Sequence, residues 1–114
     1  MRARSLLALG LAVPLAAAAH AFLEKASPAA GENVHGSPPR IVLDFTEALE
    51  PSFSAIAVTD EQGRDVSAGV MIANGSEMTL PLAKLKPGRY RVSWHAVSVD
   101  THRTEGKYNF LVAP

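Results

Sequence analysis

Hydrophobic and polar residues alternate along most of the chain, in short segments divided by glycine and proline. In RIVLDFTE (Arg40–Glu47), Ile41, Leu43 and Phe45 share one face, while Arg40, Val42, Asp44 and Thr46 share the other. A period of two marks a strand with one face on a core. SAIAVTD (Ser54–Asp60) is the next such segment, ended by the turn EQGRD. VSAGVMI and EMTLP follow, joined across Ala73-Asn74-Gly75-Ser76, where the Asn74-Gly75 pair tolerates the positive φ of a tight hairpin. GRYRVSWHAVS aligns Tyr90, Val92 and Trp94, and GKYNFLVA aligns Tyr108, Phe110 and Val112. No segment sustains a helical period. With a short first strand around Phe22 to Ala26, this predicts about seven strands with turns every ~8–12 residues, an all-β, Ig-like two-sheet sandwich. A small closed β-barrel needs the same alternation and stays open as the rival. Trp94 is expected in the core.

The N-terminal residues break the pattern. Arg2 and Arg4 form a short basic region, Leu6 to Leu15 an apolar run broken by Pro14, and Ala16 to Ala19 a small-residue stretch. That order is the one a secretory signal peptide has. The apolar run is shorter than the ~20 residues a spanning helix needs. Two cuts satisfy the small-x-small rule, after Ala19 or after Ala21. The expected division is a signal peptide over residues 1–19 and one domain over residues 20–114, within a chain of 114 residues.

Charge and cysteine narrow the chemistry. Lysine and arginine number 11 and so do aspartate and glutamate, with no basic run, so nothing here steers the chain to nucleic acid. Losing Arg2 and Arg4 with the signal takes the basic count from 11 to nine, a net charge near −2. The Cys count is 0, which removes disulfides, thiolate metal sites and Cys nucleophiles. Any metal site is built from His, carboxylate, Met or backbone groups.

There are 4 histidines, at positions 20, 35, 95 and 102. His35 falls in the Gly/Pro-rich first loop and reads as a solvated surface residue. His95 follows Trp94 and points away from the core. His102 has the richer setting, SVDTHRTEG (Ser98–Gly106), between the last two strand segments. Residues i and i+2 of an extended chain project from the same side, so Asp100 and His102 converge as a metal or acid–base pair requires. An aspartate orienting a surface histidine is the plainer account of the same spacing. His20 adds a third element. A cut after Ala19 makes it the mature N-terminus, where its α-amine and ring Nδ1 chelate one ion. With His102 and a carboxylate, this makes an N3O set suited to Cu(II) in tetragonal geometry. A cut after Ala21 discards His20.

These residues carry a resemblance. The N-terminal His with Leu23 close behind, then ASPAAGE, LDFTEALEPSFSAIAV and WHAVSVDTHRTEG, resemble the CopC family of periplasmic copper-resistance proteins over nearly all of residues 20–112. The resemblance implies a Greek-key β-sandwich or barrel with one Cu(II) per chain held by His20, Asp100 and His102, and it favours the cut after Ala19. Glu47, in DFTEAL, matches a family glutamate near the copper. It also keeps the parity of Ile41, Leu43 and Phe45, so it either meets a partner or swings into solvent as the strand ends. Some members carry a second, Met-rich Cu(I) site. Here only Met71 and Met78 remain after the signal, and both read as packing residues.

The expected function is therefore a monomeric, non-catalytic, periplasmic Cu(II) binder that sequesters copper or delivers it to an inner-membrane copper transporter. Two alternatives stay open. One is a copper-dependent monooxygenase using the N-terminal His chelate, which requires an open equatorial position that Asp100 would fill. The other is a metal-free adhesion or interaction sandwich. Ser98, Asp100 and His102 do not suit a hydrolase: they are too local and lack an oxyanion-forming turn.

Overall fold

Where the sequence alternates, the backbone is extended. The computed structural model describes residues 21–114. The strands are β1 (Leu23–Ser27), β2 (Asn33–His35), β3 (Arg40–Phe45), β4 (Ala55–Thr59), β5 (Ile72–Asn74), β6 (Glu77–Pro81), β7 (Gly88–Val97) and β8 (Arg103–Ala113), with one 3-10 turn at Pro51–Phe53. They form two four-stranded sheets, β1-β3-β6-β5 and β2-β8-β7-β4. The architecture is the predicted sandwich.

The core follows from the pleat. Ile41, Leu43 and Phe45 of β3 are buried and alternate with less buried neighbours, as do Met78 and Leu80 of β6. Val58, Tyr90, Val92, Phe110 and Val112 complete the same cluster from the other sheet. Each such aliphatic or aromatic side chain contributes about 1.5–3 kcal/mol by leaving water. Met78 is fully buried and Met71 packs against the cluster, so both methionines are packing residues. Trp94 is only partly buried, and its ring meets Phe45 of the opposite sheet edge-on at 5.0 Å and 72°. It lies over Gly106, its register partner on β8. A Cβ there would come within 2.8 Å of the indole, so this strand position requires glycine.

Three details differ from the sequence reading. The first loop contains β2, which pairs parallel with the end of β8, so His35 is a strand residue, though an exposed one. Its three residues are too few for alternation to register. The segment before Asn74 is mostly not strand; β5 keeps only Ile72–Asn74. The hairpin turn itself is Gly75-Ser76, since Asn74 still pairs with Glu77. Gly75 supplies the positive φ, 64°, as a two-residue turn with glycine first requires.

Two irregularities position one end of the sandwich. The β1–β3 register shifts between Leu23 and Lys25, so Glu24 is an extra residue, a β-bulge. Leu23 thereby pairs with Phe45 while Ala26 pairs with Leu43. Past Phe45 the chain then crosses to the other sheet. Leu49 bridges Ser98, Glu50 N–H donates to Val97 O at 2.8 Å, and Val99 N–H donates to Ala48 O at 3.1 Å. The ends of β3 and β7 are thus stitched together, and the β7–β8 connection sits at that seam.

Candidate metal centre

The β7–β8 connection is residues 98–102, and short hydrogen bonds fix its shape. Ser98 N–H donates to His102 O at 2.9 Å and Thr101 N–H donates to Ser98 O at 2.8 Å. Thr101 takes φ 73°, the left-handed region that β-branched residues avoid. This tight reversal directs Asp100 and His102 to one side. His102 Nδ1 lies 3.4 Å from Asp100 Oδ1, with the two side chains 50% and 45% exposed. The structure thus brings together the pair expected from the i, i+2 spacing, and leaves both open to an incoming ion.

Ser98 stands behind them. It is 1% exposed, and its hydroxyl donates to Asp100 Oδ1 as well as facing His102 O. The Ser98 hydroxyl, and after it His102, hold the Asp100 carboxyl below its usual range, against an opposing effect of desolvation. Asp100 is therefore a carboxylate at neutral pH, the form a cation needs.

Glu47 is half-buried two residues past the end of β3. The strand that set its parity has ended by then, so the parity argument does not decide its direction. Its neighbours do bring it to this corner. Ala48 O accepts from Val99 N–H, and Thr46 N–H donates to Phe22 O at 2.9 Å. Among the described residues no three His, Cys, Asp or Glu side chains gather closely enough to hold a metal ion. Asp100 and His102 are a pair that requires further donors. The expected donor, His20, lies outside the described residues.

The described chain begins at this corner. Ala21 is fully buried, and its carbonyl accepts a 2.6 Å hydrogen bond from Thr104 Oγ1, two residues beyond His102. The sequence reading missed Thr104, although a signal was present. Ser98, Asp100, His102 and Thr104 are polar at every second position, a run that continues onto the inward face of β8. His95 is partly buried, across from Ala55 and Glu105 on the sheet's outer face, away from this pair.

The sequence profile of the CopC domain matches residues 23–113. The chain belongs to the CopC family. Protein YobA of Escherichia coli K12 is 40% identical over 98 residues, covering 82% of this chain and 79% of that protein. Copper resistance protein C of Escherichia coli is 33% identical over 114 residues, covering 91% and 90%. Among solved structures, CopC from Methylosinus trichosporium OB3b superposes with a TM-score of 0.77 at 37% identity, covering 83% of this chain and 95% of that one. As a CopC domain, the chain has a copper-related function.

The donor chemistry of the pair suits copper. A carboxylate and an imidazole are N/O ligands suited to Cu(II), whereas thioether would suit Cu(I). Both methionines of the described chain are in or against the core instead.

Proposed function

We propose that this protein is an exported periplasmic copper carrier. It binds one Cu(II) per chain as a monomer, without catalysis, and either sequesters the ion or passes it to an inner-membrane copper transporter. The proposed ligands are the α-amine and imidazole of His20, the Asp100 carboxylate and the His102 imidazole, with Glu47 beside them. Signal peptidase cutting after Ala19 exposes the amine.

One observation carries this reading. The Ala21 carbonyl is tied to Thr104, next-but-one to His102. Residue 20 is one peptide unit upstream, about 3.8 Å between Cα atoms. The anchoring of Ala21 at this corner supports the reading that the amine freed after Ala19 serves as a ligand beside Asp100 and His102. A carrier role, rather than an enzyme, is supported by Asp100 standing beside His102, where as a ligand it would fill a position an oxygen-activating site keeps open.

The test starts with the intact mass of the exported protein, expected to begin at His20. Copper titration of that form against a Met-extended form follows. The native form is expected to bind far more tightly, and its affinity to fall as pH drops through the amine and imidazole range. Equal affinity of the two forms would exclude the amine as a ligand.

A further inference from the structure

Two threonines that are not in the proposed ligand set grip the start of the described chain from opposite sheets. Thr104, on β8, donates its hydroxyl to Ala21 O at 2.6 Å. Thr46, just past β3, accepts from Phe22 N–H at its Oγ1 at 2.9 Å and returns its own N–H to Phe22 O at 2.9 Å. Three hydrogen bonds thus fix two consecutive residues. Each anchor is joined to a segment of the copper corner, Thr104 to His102 and Thr46 to Glu47.

The bulge at Glu24 sets what the anchors hold. Below it Ala26 faces Leu43, and above it Leu23 faces Phe45, three residues apart rather than an even number. Continuing from Leu23, Ala21 turns inward and is fully buried, while Phe22 turns outward and is 52% exposed. The inward turn brings the Ala21 carbonyl to Thr104. We infer that Thr46 and Thr104 are positioning residues of the proposed copper site, a clamp that holds Ala21 and Phe22 at the corner of Asp100 and His102 so that the ligand ahead of them has a fixed base. This rests on the ligand reading above. Ordering one untethered residue on binding weakens affinity by roughly five- to thirtyfold. The clamp reduces that loss by fixing Ala21 and Phe22 in advance.

The test uses the exported protein with its native N-terminus and Thr46→Val, Thr104→Val and Thr104→Ser. In the copper-free protein, Thr46→Val should speed hydrogen exchange at the Phe22 amide. Thr104→Val should lower Cu(II) affinity on the order of tenfold and make the Cu(II) EPR spectrum heterogeneous, as the amine leaves the site in part of the population. Thr104→Ser, which keeps the hydroxyl, should restore both. In the Met-extended form Thr104→Val should change affinity less than in the native form, because of the two His20 donors only the imidazole can still bind. If Thr104→Val keeps wild-type affinity and spectrum while native and extended forms still differ, the clamp is wrong and the ligand reading stands. If Thr104→Ser is as weak as Thr104→Val, the hydroxyl is not the cause and the clamp is again overturned. If native and extended wild-type proteins bind alike, both inferences fail together.

Discussion

Several turns of this sandwich place a residue in the left-handed backbone region, and two of them do so with residues of opposite kinds. Gly75 opens the β5–β6 hairpin at φ 64°, where no side chain objects. Thr101 sits at φ 73° between Asp100 and His102, and it is the one non-glycine residue with positive φ among the described residues. A β-branched residue held there costs about 1–3 kcal/mol. The hairpin turn is built for stability. The β7–β8 turn accepts strain, and it carries the two side chains proposed as copper ligands. Buried Ser98 and the stitching of Leu49, Ala48 and Glu50 to β7 over-determine this second turn, so it keeps a shape its own sequence disfavours.

That contrast can be broken most sharply at the side chains. Asp100→Ala or His102→Ala should weaken Cu(II) binding by more than about a hundredfold, beyond the 10–100-fold typical of groups that only support a ligand. A competition titration measures this. The hairpin should respond differently: Gly75→Val should lower stability by about 1–2 kcal/mol in urea unfolding, with copper affinity changed far less than by His102→Ala, even though Gly75 O accepts from Leu49 N–H at the seam. If Gly75→Val weakened copper binding as much as His102→Ala, the two turns would not be functionally distinct.

A subtler change exchanges the characters of the turns. Thr101→Gly relieves the strain but gives the unfolded chain more freedom, about 0.5–1 kcal/mol. Its unfolding midpoint should therefore move little. Its copper affinity should fall several-fold, because Asp100 and His102 are less firmly directed. Tighter binding by Thr101→Gly would show that the strain hinders the site.

The smallest effect concerns acid. The folded-state pKa of Asp100 is lowered from 3.8, chiefly by Ser98, so the stability it contributes is present above that value and lost as pH falls through the folded pKa. Copper-free Ser98→Ala should show a flatter loss of stability below about pH 4 than the wild type. An unfolding series in pH measures the slope, and identical slopes would remove Ser98 as the cause.

The sequence exposed the parts of the fold that rest on side-chain alternation. Ile41, Leu43 and Phe45, or Tyr90, Val92 and Trp94, show their faces because burial acts on every second residue. β2 stayed hidden because three residues between glycine and proline are held by backbone pairing to β8, which leaves no side-chain signature. The Asp100–His102 pair was legible in its spacing, although a tight reversal at Thr101 rather than an extended strand brings the two side chains together. Thr46 was not, since its part is played by a hydroxyl and a backbone N–H meeting Phe22, 24 residues away. The direction of Glu47 was illegible too, because the chain leaves the pleat at Phe45 and crosses between sheets.

The length of β8 has a practical consequence. It runs 11 residues from Arg103, beside the Asp100–His102 corner, to Ala113. At about 3.3 Å per residue its far end is roughly 33 Å away. A linker, affinity tag or sensor surface attached after β8 would hold the domain by its foot and leave the metal end facing outward. The same attachment placed ahead of His20 would occupy the nitrogen on which the proposed chelate depends. If the proposed chelate holds, the choice of which end to tether decides whether an assay reports copper binding.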